Sequence, residues 1–386
     1  MARVTVAHDV LVWAQQTSGK PVEAFAEKFT GWNAWLAEQR QPTLKQIEAL
    51  SRFTGIPFGY FFLPAPPLLR LPIPDFRAGY ARGQGGPSQD LLDVVHTCQR
   101  RQGWYRDYAA FHGLDPLPFV GSADADTLTE VAAAEIRERL RFDVDQRGAP
   151  KNWSEARRHL LRAFEQLGGL TVATSMVGNN THRLLDLDEF RGFTLADDVA
   201  PLICVNTRDT VNGQIFTIAH EIAHVWRGAT GVSAEQVEIE PGSEIERWCN
   251  RVASEVLVPA ADLRSRFREP TQGDWRAELE RLAKVYRCGT LVILLRLKQV
   301  GLTGPTDFDD LYTHELARLA AMPDDEPAPS GGNFYLSQPY RIGERLSRAV
   351  IADTLEGRTS LSEAMSLMSL GSLSTFDAYA QELGVA

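Results

Sequence analysis

Residues Phe216–Trp226, FTIAHEIAHVW, constrain this chain more than any other stretch. Wound into an α-helix at about 100° per residue, the segment sets His220 and His224 one turn apart on one face, with Glu221 and Thr217 beside them. Ile215, Ile218, Ala219, Ile222, Val225 and Trp226 fall on the other side, a continuous apolar arc that can back onto a core. One rigid helix thus offers two imidazoles and a carboxylate to a cleft. That is the H-E-x-x-H arrangement, in which neutral imidazoles bind zinc at about 2.0–2.1 Å and the glutamate acts on the metal's water. A chance match would often put a histidine on the apolar side, so the clean partition favours a site.

A catalytic zinc usually takes three protein ligands and keeps one position for water. The segment Ser243–Pro259, SEIERWCNRVASEVLVP, can supply the third. Ile245, Trp248, Cys249, Val252, Val256 and Leu257 recur at three and four residues, as in an amphipathic helix. Glu246 shares a face with Cys249, Asn250 and Ala253, small or polar groups suited to close packing, whereas Glu244, Arg251 and Glu255 lie further toward solvent. Glu246 is therefore the preferred ligand and Glu244 the alternative. Cys249 could also ligate zinc, but a single cysteine on an apolar face is more often a small core residue.

Read together, FTIAHEIAHVW and IERWCNRVASEVLVP resemble the ImmA/IrrE family of metallopeptidases, whose pattern joins H-E-x-x-H to a helix reading roughly I-E-x-x-x-N-x-x-A-x-x-L-x-P. The likeness continues upstream through Glu189–Leu195 and Pro201 to Asn206, and it covers most of the chain. Ala223, often glycine in the family, and Val225-Trp226, often two leucines, depart from the commonest form without touching a ligand. The resemblance implies a zinc-dependent endopeptidase in which His220, His224 and Glu246 hold the ion, with manganese as the alternative metal. Glu221 is then the general base. The implied substrate is a helix-turn-helix transcriptional repressor, whose cleavage relieves control of a mobile element, a stress response or a toxin–antitoxin operon. In zinc peptidases of this kind an edge strand runs beside the metal helix and receives the substrate peptide. Arg191, Gly192, Phe193, Thr194 and Leu195 are assigned that role. His314 and Tyr312 are downstream candidates for stabilising the oxyanion. The competing reading is a DNA- or protein-binding regulator, antitoxin-like, whose metal site is not catalytic.

Residues 1–65 read as short helices with tight turns and resemble the XRE-like helix-turn-helix domain fused to many members of that family. Such a domain puts its third helix, here Trp32 to Gln39, into the major groove. Asn33, Gln39 and Arg40 are its candidate base contacts. Residues 1–70 carry seven basic against five acidic side chains, a thin balance for neutralising phosphates, which favours protein recognition over DNA. Over the whole chain, 40 basic and 50 acidic residues give a net charge of −10, and nucleic acid cannot be a partner for the entire surface.

The 386 residues suffice for two or three domains. Residues 66–88 are dense in proline and glycine and read as a linker; residues 89–322 hold the metallopeptidase domain with a helix-turn-helix-like tail. In that tail Arg296 and Lys298 could face nucleic acid, although core packing explains the pattern as well. A second linker at 323–333 precedes a helical C-terminal domain, 334–386. Strands are expected at Leu170–Thr174, Glu189–Leu195 and Leu202–Asn206. The expected fold class is α+β: mostly helical, with a zincin-like core of a small mixed sheet plus the H-E-x-x-H helix. No apolar run approaches the roughly 20 residues a spanning helix needs, so no membrane association is expected. Four scattered cysteines form no C-x-x-C spacing, and the first residues lack a signal-peptide pattern, so a cytoplasmic location is expected.

Overall fold

The computed structural model describes residues 3–76, 86–148, 152–233, 243–270, 274–321 and 334–385. The expected linker at 323–333 and residues 77–85 of the first linker lie outside them. The chain packs as two units: Met1–Pro72 with Arg82–His96 and Met176–Leu185, and Ile73–Ala81 with Thr97–Ser175 and Asp186–Ala386. This division differs from the expected boundaries at 65 and 333. Arg183 ties the 176–185 segment to the first unit by bonding Asp90 and Asp93 at 2.6–2.8 Å. The C-terminal helices are part of the second unit.

In the first unit, α1 (His8–Thr17), α2 (Val22–Lys28), α3 (Trp32–Leu36) and α4 (Leu44–Thr54) precede a 3-10 turn at Phe58–Phe62. Val10, Leu11, Phe25, Trp32, Trp35, Ile47, Leu50 and Phe61 form its core. A capping box opens α4, where Thr43 accepts from the Gln46 amide and the Gln46 side chain accepts from the Thr43 amide. Gly55, at φ 74°, closes it in the left-handed region. Helix α3 is shorter than expected, ending at Leu36 rather than Gln39. Trp32 and Trp35 turn into the core, and beyond them Glu38 adopts φ 56° while the Arg40 amide reaches back to the Ala34 carbonyl. That geometry stops a helix.

In the second unit, α5 (Gln89–Phe111, shared along the chain with the first), α6 (Thr129–Leu140) and α7 (Trp153–Gln166) lead into the sheet. Its strands are β1 (Leu170–Thr174), β2 (Gly192–Leu195), β3 (Leu202–Asn206) and β4 (Gly231–Ser233) in the order β1-β3-β2-β4. β1 and β3 are parallel, with Leu170 opposite Leu202; β2 is antiparallel to both β3 and β4. Every strand residue is buried, as expected of a sheet covered on both faces. The H-E-x-x-H helix α8 (Val211–Arg227) lies on β2 and β3 and enters the core through Ile215, Ile218, Ile222 and Trp226. Thr210 caps its first turn and Gly228, at φ 65°, its last.

After β4 come α9 (Glu244–Leu257), α10 (Ala260–Arg266), α11 (Trp275–Tyr286), α12 (Thr290–Gln299) and α13 (Pro305–Ala321). Helices α10 and α13 carried no recognised signal in the sequence; each begins at or just after a proline. The last carbonyls of α9 are held by three arginines. Arg137 donates to Glu255 O at 2.6 Å, Arg147 to Val256 O and Leu257 O, and Arg296 to Val258 O at 3.0 Å. Cations suit this end of a helix dipole, and the orphan carbonyls there need donors. Arg296 is buried and also pairs with Glu255, so it does not face nucleic acid, and Lys298 lies over the Phe308 ring.

Helices α14 (Phe334–Ile342), α15 (Glu344–Leu355), α16 (Leu361–Leu367) and α17 (Leu373–Glu382) complete the chain. α14 and α15 pack on β1, which places them by contact in the second unit. Gly343 joins them at φ 85°, and a Cβ there would stand 2.7 Å from the Thr171 carbonyl of β1. No helix among the described residues is long and apolar enough to cross a membrane.

Candidate metal centre

His220 and His224 sit on consecutive turns of α8 with their Nε2 atoms 3.0 Å apart. Glu246 reaches them from the first turn of α9, placing Oε2 at 3.1 Å from His220 Nε2 and Oε1 at 3.0 Å from His224 Nε2. Four donors set tetrahedrally at about 2.0–2.1 Å from an ion stand about 3.3 Å from one another, so these three side chains are close enough to share a divalent ion. All three side chains are buried. Ser243 caps α9 by accepting from the Glu246 amide at 3.1 Å. The sequence S-x-x-E signals a capping box at this point, but the carboxylate turns to the imidazoles instead. Glu244, the alternative ligand, is exposed, and Cys249 is a buried core residue outside the triad.

The electrostatics suit a cation. Burial would drive the Glu246 carboxyl up, but His220 and then His224 outweigh it and hold it at about 2. Burial lowers the His224 imidazole below its ordinary value and favours the neutral, ligating form. A buried carboxylate facing two buried imidazoles is the donor set a divalent ion takes.

Glu221 stands beside the triad, fully buried. Thr194 of β2 donates from Oγ1 to Glu221 Oε2 at 2.7 Å, with the Glu221 carbonyl 3.0 Å from the same hydroxyl. Gly192, two residues earlier on the same face, leaves room for the carboxylate: a Cβ there would stand 2.7 Å from Glu221 Oε1. Burial pushes the Glu221 carboxyl up to about 8; the charge of His220 and the Thr194 hydrogen bond offset only part of that.

The other predicted residues are dispersed. β2 lies between β3 and β4, so Arg191–Leu195 is not the edge strand expected of it. The reason is β4, too short at three residues to show as an alternating pattern. By strand alternation Gly192 and Thr194 face α8, whereas Phe193, 6.2 Å from Phe190, and Leu195 point to the opposite side. Arg191 is engaged in an ion pair with Asp209. His314 is exposed and bonded to Asp310 O of its own helix, and Tyr312 stacks on Phe308. Asn33, Gln39 and Arg40 are exposed on the first unit, Asn33 on α3 and the other two beyond its end.

One neighbour escaped sequence reasoning altogether. Phe76 lies with its ring parallel to that of His224, 9° between planes and 5.8 Å between centroids. Residues 74–76 pair with β4 along its outer side. No periodicity marks so short a strand in so proline-rich a stretch.

Residues 165–298 match the Peptidase_M78 family, the IrrE N-terminal-like domain. The matched region, about a third of the chain, runs from the end of α7 through α12 and contains the triad and Glu221. It supports a peptidase of the ImmA/IrrE type and implies a divalent metal, for which the triad is available. Residues 342–382 match a domain of unknown function, DUF8813. Neither a curated protein nor a solved structure matches the chain.

Proposed function

We propose that this protein is a zinc-dependent endopeptidase. The observation that carries the reading is the convergence of His220, His224 and Glu246 from two helices, with a fourth buried acid, Glu221, held alongside by Thr194. A purely structural zinc site usually closes with four protein ligands, whereas three leave a position for water and substrate. When bound, zinc would supply Lewis-acid activation of a water and of the scissile carbonyl.

The chain's own residues supply the rest. In its ionised form, which the charge of a bound dication would favour against the effect of burial, Glu221 accepts a proton from the attacking water and later returns it to the leaving amine. Thr194 holds one carboxylate oxygen, and Gly192, where a Cβ would stand 2.7 Å from Oε1, leaves room for the other. With both imidazoles in the neutral form that ligation requires, they and Glu246 would together carry one negative charge and leave a bound dication net positive.

By family resemblance the substrate is a helix-turn-helix repressor, and the first unit is its recognition module. The test is incubation of the metal-loaded protein, with and without chelator, with helix-turn-helix proteins encoded beside its gene. Chelator-sensitive cleavage is expected, and it should vanish in Glu221→Gln. Cleavage that survives that substitution would refute the role given to Glu221.

A further inference from the structure

The sheet has one edge beside the triad, and the chain itself fills it. Val232, the middle residue of β4, makes two hydrogen bonds outward: its amide donates to Pro74 O at 3.0 Å and its carbonyl accepts from the Phe76 amide at 3.1 Å. Asp75 is thereby bridged to Val232 in parallel. This is strand addition to a sheet edge, in which backbone bonds give affinity and side-chain seats give selectivity. The seat is defined. Gly231 has no side chain, and a Cβ built there would stand 2.1 Å from Phe76 Cε2, so the Phe76 ring occupies the volume a side chain would fill. The same ring lies parallel to that of His224. Gly231 is in turn opposite Thr194, the residue that holds Glu221.

We propose that residues 73–76 are a built-in occupant of the substrate edge, and that the Gly231–His224 seat is a subsite for an aromatic side chain of the bound peptide, filled by Phe76 in the resting protein. The inference rests on the peptidase reading for what the site does, but not for what fills it. Among the described residues the strap engages Val232 by two backbone bonds and seats the Phe76 ring. A peptide strand offering the same bonds and an aromatic ring can displace it. Residue 73 directly follows the first unit along the chain, so whatever binds that unit has a covalent handle on the strap.

The test uses the full-length, zinc-loaded protein and its Phe76→Ala and Phe76→Tyr variants. Three measurements are made: cleavage of unfolded β-casein, hydrogen exchange at the Val232 amide, and binding of a fluorescent peptide spanning residues Arg70–Phe76 to Phe76→Ala in a Glu221→Gln background. Phe76→Ala should cleave at least tenfold faster than wild type, lose Val232 protection at least tenfold, and bind the peptide. Phe76→Tyr should behave as wild type, and the same peptide with alanine in place of its phenylalanine should bind at least tenfold more weakly. Unchanged Val232 exchange in Phe76→Ala, or equal binding of the two peptides, overturns the proposal. If no variant cleaves casein while exchange and peptide binding behave as stated, the strap stands and the peptidase reading falls.

Discussion

The two ends of the sheet are closed in different ways. At β1, helices α14 and α15 cover the strand with packed apolar surface, and Gly343 brings the chain within contact of the Thr171 carbonyl. At β4, the cover is a few residues of extended chain held through Val232 and one phenylalanine ring. Packed helices bury area that must be re-exposed to open them, at roughly 25 cal/mol per Å² of apolar surface. A strap of extended chain can be exchanged for a competitor strand that offers equivalent bonds. One end is a wall and the other a door, and the buried triad belongs to the door.

If so, changes near the triad should alter chemistry with little effect on folding, and changes at β1 should do the reverse. The largest effect is expected from Glu221→Gln, a loss of cleavage on the order of 10³-fold with zinc content and thermal midpoint unchanged. Glu246→Ala comes next: zinc affinity should fall by at least 10–100-fold, measured by competition with a chromogenic chelator, and retention of full metal content would remove it from the ligand set. At the other end, Gly343→Ala must accommodate φ 85° and a Cβ against the Thr171 carbonyl, and should lose about 2–3 kcal/mol in urea unfolding while zinc affinity holds.

The smallest predicted effect depends on pH. Glu165 of α7 accepts from Thr171 of β1 at 2.8 Å, and burial pushes its carboxyl up to about 7 against the pull of that bond. A carboxyl raised on folding binds its proton more tightly in the native state. Its contribution is fully present below the unfolded value near 4.5 and is lost as pH rises through about 7. Glu165→Gln removes the titration, so it should gain on the order of 1–2 kcal/mol over wild type at pH 8, a gain that disappears by pH 4. A constant gap across that range would place the cause elsewhere.

The readable parts of the sequence were those where one element carried its own instructions. α8 and α9 each show a 3.6-residue apolar period and an N-terminal cap, and both formed where expected. The three longer strands were marked by runs of β-branched and aromatic residues. What could not be read depended on distant partners. β4 is three residues long and exists because β2 offers it an edge. Residues 74–76 look like linker until Val232 supplies hydrogen bonds. Gly192 was read as part of a peptide-binding strand; that it clears space for Glu221 depends on how α8 crosses the sheet.

The arginines gathered at the far end of α9 have a practical consequence. That end lies about 16 Å from the glutamate it steadies, the length of an eleven-residue helical span. A clone carrying a lesion at Arg137, Arg147 or Arg296 would show an intact H-E-x-x-H motif and yet present Glu246 out of register. Loss-of-function screens should therefore recover two classes of dead protein, and only one of them can be spotted by inspecting the motif.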